Sequence, residues 1–178
     1  MFLLIRENRL SIAFEAMIFA IDAHKNQRRK YTNNPYTDHL AEVAGIVATV
    51  AGGDESMIAC AWLHDCVEDQ KVTVQQIEDR FGFRVALGVS GLSDMEQGNR
   101  AQRKEASRDR LAACASWIQT IKVADLISNT SSIVMHDPKF ATTYLQEKRL
   151  LLDVLKKADE RILKIARLQL EKQNPFFD

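Results

Sequence analysis

Four ionisable side chains, His64, Asp65, Glu68 and Asp69, fall within the run Ala59-Cys60-Ala61-Trp62-Leu63-His64-Asp65-Cys66-Val67-Glu68-Asp69, which is otherwise apolar. If the run is one helix, about 100° per residue sets them at roughly 0, 100, 40 and 140°, a single arc on a cylinder that otherwise asks to be buried. Carboxylates and an imidazole facing a core are costly unless they are paired or hold a cation, so the arc reads as a metal site. Two further groups of the right kind sit on other apolar helical segments, His39 at the start of one and Asp125 inside another. The set His39, His64, Asp65 and Asp125 suits one divalent ion and leaves positions for water and substrate. No thiolate takes part, so the chemistry indicated is catalytic rather than structural.

Lys122 and Asn129 flank Asp125 at i−3 and i+4 on one side of their helix. Arg28, Arg29 and Lys30 cluster a few residues before His39. They form a local cationic rim of the kind a phosphate-rich substrate needs, and arginine adds planar stacking that lysine lacks. Other residues have plainer readings. His24 reads as a buried, hydrogen-bonded histidine or a helix C-terminal charge, His136-Asp137 as a turn before Pro138, and Cys60 and Cys66 as packing.

These groups must be positioned by helices. Only 7 glycines and 3 prolines punctuate the chain, and alternating β-branched residues are rare, so the expected fold is all-α, a bundle of about eight to ten helices. The pattern predicts a first helix over residues 10–23, its apolar members Leu10, Ile12, Phe14, Met17, Ile18 and Ile21 spread around the circumference as in a buried segment. Asp38 caps a helix over 39–51 that Gly52-Gly53 stops, and Asp54 caps one running unbroken to about Val67. Short helices follow over 74–81 and 84–92. Residues 93–103 show no core pattern and read as a mobile surface loop, a possible lid. Helices over 101–114 and 116–134 come next, and residues 139–172 supply one or two closing helices with Tyr144, Leu151, Leu155, Ile162 and Ile165 inward.

With 178 residues and 46% hydrophobic content, the chain fits one domain, 1–178, with a sizeable core. Lysine plus arginine (24) equal aspartate plus glutamate (24), so no global field favours nucleic acid or an anionic membrane; a small anionic partner must be drawn locally. Cys60, Cys66 and Cys114 are odd in number and lack C-x-x-C spacing, which points to a reducing cytoplasm. The apolar start, residues 1–5, is too short for a signal-peptide core or a span.

The ordered motifs carry a resemblance. Ala23-His24, Arg29-Lys30, Pro35-Tyr36-Thr37-Asp38-His39, Leu63-His64-Asp65-Cys66-Val67-Glu68-Asp69, Phe81-Gly82 and Lys122-Val123-Ala124-Asp125-Leu126-Ile127-Ser128-Asn129 resemble the hydrolase domain of RelA/SpoT-type alarmone enzymes, within the HD phosphohydrolase superfamily. The resemblance implies that His39, His64, Asp65 and Asp125 hold one metal, normally manganese. It implies that Glu68 and Asp69 orient or activate the attacking water, that Arg29 packs on guanine, and that Asn129 and Ser132 lie near the ribose. Lys30 and Lys122 join the substrate-binding set. The implied reaction removes the 3′-pyrophosphate of (p)ppGpp, giving GDP or GTP, as in the small stand-alone alarmone hydrolases. The chain departs from the family pattern at Leu126, where arginine or lysine is common, at Ser128, where an aromatic residue or histidine is common, and at Leu40, where bacterial members often have proline. The alternatives are an HD-type hydrolase acting on another nucleotide phosphate, and a nucleotide-binding module without catalysis; the intact acidic pair speaks against the second.

Overall fold

The computed structural model describes residues 10–173, so the apolar start at residues 1–5 lies outside the described residues. Among the described residues the secondary structure is helical: α1 (Ile12–Ala23), α2 (Thr37–Ala48), α3 (Glu55–Leu63), α4 (Cys66–Asp69), α5 (Val74–Phe81), α6 (Phe83–Leu92), α7 (Arg100–Ala113), α8 (Ser116–His136), α9 (Pro138–Val154) and α10 (Glu160–Lys172). The one β pairing among them is an isolated bridge between Arg28 and Pro35. No described helix is long and apolar enough to cross a membrane.

The starts of the helices follow from side-chain oxygens that take up free backbone N–H groups. Ser11, Asp54, Asp137 and Asp159 cap α1, α3, α9 and α10 in this way. Thr73 with Gln76 and Asn99 with Gln102 form reciprocal capping boxes on α5 and α7. Asp38 does not cap α2; that helix starts at Thr37 without a side-chain cap, and Asp38 sits in its first turn.

Two helices that are buried over most of their circumference form the centre. In α3, Ala59, Cys60, Ala61 and Leu63 are fully buried, and α8 buries Ile121, Val123 and Ala124. Helices α1, α2 and α6 pack on α3, while α2, α9 and α10 pack on α8, so α2 touches both central helices. Gly88 lets α6 approach closely, since a methyl there would collide with the Trp117 ring and Cys60 Sγ. Gly88→Ala is therefore expected to lower stability by about 1–3 kcal/mol. An unchanged denaturant midpoint would mean that α6 can slide away freely.

Several expectations need correcting. The organising helix is not continuous: α3 ends at Leu63, Asp65 departs from ideal helical angles at φ −99° and ψ −2°, and α4 begins at Cys66. Helix α1 is not buried on all sides: its fully buried residues are Ala16 and Ala20, whereas Phe14, Ile18 and Ile21, and Leu10 just before the helix, are 43–52% exposed. Helix α8 extends to His136, and the closing segment is two helices whose inward residues include Leu155 and Ile162 but not Ile165, which is 48% exposed.

Residues 93–99 are not a free lid. Asp94 accepts hydrogen bonds from Lys104, Ser107 and Arg110 of α7 at 3.2, 2.8 and 2.7 Å, and Glu96 accepts one from Arg110 at 2.6 Å. Those contacts hold the segment against α7. The sequence signal was misleading because a loop fixed by ion pairs looks as polar as a mobile one.

Candidate metal and active site

His39 projects from the first turn of α2, His64 and Asp65 from the break between α3 and α4, and Asp125 from the middle of α8. His39, His64 and Asp125 are buried, and each offers one ligand atom within 4.8 Å of the others. Asp125 Oδ1 lies 3.4 Å from His39 Nε2 and 3.9 Å from His64 Nε2. Asp65 Oδ2 lies 3.6 Å and 3.0 Å from the same two nitrogens. The break in the helix makes this possible, because on one continuous helix His64 and Asp65 point about 100° apart.

The proton positions follow from the far side of each ring. His64 Nδ1 is 2.8 Å from the Ala61 carbonyl, which can only accept, so Nδ1 carries a hydrogen and, in the neutral ring, Nε2 presents its lone pair to the carboxylates. Nε2 of both His39 and His64 is buried and has no hydrogen-bond partner. Lone pairs facing carboxylates across 3.0–3.9 Å repel unless a proton or a metal ion lies between them. The donor set, imidazole nitrogen and carboxylate oxygen, fits a divalent metal. Taken without an ion, the same crowding shows in the ionisation. Burial pulls the His64 imidazole down, but Asp65 and Asp125 outweigh it and lift it to about 9. Burial pushes the Asp125 carboxyl up, yet the Lys122 ammonium and the two imidazoles hold it well below the usual carboxylate range.

Each carboxylate also accepts hydrogen bonds from neighbouring side chains. The Tyr36 hydroxyl donates to Asp65 Oδ2 at 2.6 Å, with its ring stacked on His24 at 5.1 Å and edge-on to His39 at 5.4 Å. Lys122 Nζ donates to Asp125 Oδ2 at 2.8 Å, and Asn129 Nδ2 to Asp125 Oδ1 at 2.6 Å. Arg29 Nη1 in turn donates to Asn129 Oδ1 at 2.9 Å, joining the loop after α1 to α8.

Two cavities flank the cluster. One of about 250 Å³ is lined by Asp65, Glu68, Lys122, Asp125 and Asn129, with Arg100, Lys104 and Arg108 from α7 on its outer wall. The other, about 270 Å³, includes Arg29, His39 and Ser132. Glu68 thus faces the first cavity, where its Oε2 accepts the Asp94 N–H at 2.9 Å and burial pushes its carboxyl up. Asp69 lines neither cavity; its carboxylate accepts from Gln27 Nε2 at 2.7 Å, and Gln27 Oε1 is 2.6 Å from His24 Nδ1. Lys30 also stands apart, with Nζ 4.7 Å from the Tyr31 ring centre and 3.9 Å from Asp137.

Two features go beyond the residues that the sequence singles out: Tyr36 as a support for Asp65, and the basic residues of α7. The last had a legible signal, since Arg100, Lys104 and Arg108 recur every four residues and share a helix face. Lys148 had none. It is a buried α9 lysine on the first cavity, tied to Thr130 Oγ1 at 2.6 Å and Gln169 Oε1 at 3.0 Å, and burial pulls it down to about 7.

Known proteins resemble this chain in sequence and in fold. An HD domain model matches residues 16–134. A Synechocystis sp. protein named probable guanosine-3′,5′-bis(diphosphate) 3′-pyrophosphohydrolase is 37% identical over 130 residues, which make up 70% of this chain and 17% of that protein. The chain therefore spans about a sixth of that relative's length. The Danio rerio guanosine-3′,5′-bis(diphosphate) 3′-pyrophosphohydrolase MESH1 is 32% identical over 121 residues, 67% of either chain. A solved structure described as a metazoan ortholog of SpoT that hydrolyzes ppGpp superposes with a TM-score of 0.83, covering 94% of this chain and 98% of its own at 24% identity, and so shares the fold.

Proposed function

Because the chain belongs to the HD domain family, we propose that it is a metal-dependent hydrolase that removes the 3′-pyrophosphate of guanosine alarmones, converting (p)ppGpp to GDP or GTP. The observation that carries the metal site is the pair of buried, unpartnered Nε2 atoms of His39 and His64 turned toward Asp65 and Asp125. The named activities of the Synechocystis and Danio rerio relatives support the substrate.

In this reading His39, His64, Asp65 and Asp125 hold one divalent ion, manganese. When bound, such an ion polarises a phosphoryl oxygen and makes water a better nucleophile at neutral pH. The chain's own residues do the rest. Glu68, on the cavity wall and raised by burial, takes a proton from the attacking water or aims it at phosphorus. The bond between O3′ of the ribose and its phosphorus breaks, pyrophosphate leaves with the oxygen of the water, and O3′ takes a proton. Lys122 and the α7 residues Arg100, Lys104 and Arg108 offset the charge of the phosphates. Arg29 offers a planar face to guanine, and Asn129 and Ser132 lie beside the ribose. Asp69 acts at one remove, holding Gln27 and through it the loop that carries Tyr36.

The test is a panel of nucleotides with manganese or magnesium, with orthophosphate and pyrophosphate read separately. Stoichiometric pyrophosphate and GDP from ppGpp is the expected result. Orthophosphate without pyrophosphate means a phosphomonoesterase acting on another nucleotide, and tight binding with no turnover of any nucleotide means a binding module.

A further inference from the structure

Behind His39 lies a second hydrogen-bonded chain that joins α2 to α8. His39 Nδ1 is 2.8 Å from Ser128 Oγ, and Ser128 Oγ donates to Glu42 Oε2 at 2.6 Å. His39 and Ser128 are buried, at 2% exposure each, while Glu42 sits at the mouth of the second cavity. Each helix carries a candidate metal ligand and, three residues later, a member of this chain: His39 and Glu42 on α2, Asp125 and Ser128 on α8.

We propose that Ser128 and Glu42 are positioning residues that fix the His39 ring with its hydrogen on Nδ1 and its Nε2 lone pair aimed at the ion site. Hydrogen counting fixes the direction of both bonds. A serine hydroxyl has one proton, and a carboxylate can only accept, so the Ser128 proton goes to Glu42. Toward His39 the hydroxyl is left with a lone pair, and Nδ1 must be the donor. In the neutral ring that a metal ion requires, Nε2 then carries the free pair, matching what the Ala61 carbonyl imposes on His64. Helical serines and threonines commonly donate to the carbonyl four residues back, as Thr120 and Thr130 do on this same helix, to Ser116 and Leu126. Ser128 instead bonds across to α2. Orienting partners of this kind raise ligand basicity and set metal affinity.

The inference rests on the metal reading, and the experiment separates the two. Manganese affinity is measured by calorimetry on metal-stripped protein, wild type against Ser128→Ala, Glu42→Ala and Ser128→Thr. Ser128→Ala is expected to bind about 10–100-fold more weakly. Glu42→Ala leaves the hydroxyl free to turn and donate, so its affinity falls too, and because Glu42 is exposed that variant keeps its fold. Ser128→Thr keeps the hydroxyl and restores binding. In zinc-loaded wild type the His39 Nδ1 proton should appear in the NMR spectrum as a slowly exchanging imidazole signal, and it should be lost in Ser128→Ala. Unchanged affinity in Ser128→Ala and Glu42→Ala, with the proton signal intact, overturns the relay and leaves the metal site standing. A wild-type protein that binds no divalent ion overturns both.

Discussion

Asp125→Ala is expected to purify without divalent metal, to have no measurable hydrolase activity, and to unfold about 3–5 kcal/mol more easily. The metal is lost because Asp125 supplies an oxygen between the two Nε2 atoms, at 3.4 and 3.9 Å. Stability is lost because the same carboxylate is the 2.8 Å partner of Lys122, which is left as a largely buried ammonium without its hydrogen-bonded counter-charge. Breaking a buried pair from one side is costly for that reason. Asp125→Asn separates the two effects, since the amide oxygen can still accept from Lys122 while the negative charge is gone. It should keep more of the stability and still bind metal poorly. Elemental analysis and denaturant unfolding on both variants decide the matter, and full metal occupancy in either would sink the ligand assignment.

Glu68→Gln should leave metal content and fold intact and lower turnover at least about a hundredfold. Glu68 faces the cavity but is not among the groups that close on the two imidazoles. Glutamine preserves the oxygen that accepts the Asp94 N–H, so residues 93–99 stay in place, and only the base and its charge disappear. Nucleotide binding should hold or tighten, because one negative charge beside the phosphates is gone. The matching substitution at Asp69 should cost less, since that carboxylate holds Gln27 and lies outside both cavities. If Glu68→Gln turns over ppGpp at close to the parent rate, the acid–base role is wrong.

The helical fold was legible because helices announce themselves locally: period, caps and breakers are all within a few residues of one another. Exposure was less legible. The apolar residues of α1 suggested burial all round, but its fully buried residues are alanines, and nothing in the spacing tells which side a neighbour will occupy. The charged stretch before α7 looked free for the complementary reason, that the partners of Asp94 and Glu96 are named only by the fold.

What the sequence by itself determined is the set of groups able to do chemistry: two imidazoles and two carboxylates on apolar segments, an acidic pair one turn on, and cations nearby. Burial in a helical core is costly for such groups, so their presence there already implies that they pair or bind. Only the tertiary structure decided which atoms meet. It broke the helix at Asp65, which lets His64 and Asp65 turn toward one point, and it sent Glu68 into the cavity and Asp69 to Gln27 although the two are adjacent in the chain. It also placed Ser128 and Glu42, 86 positions apart in sequence, behind the same histidine. Local spacing fixes the direction of a side chain relative to its own helix axis, whereas the roll of one helix against another is set by packing, and packing is a property of the whole chain.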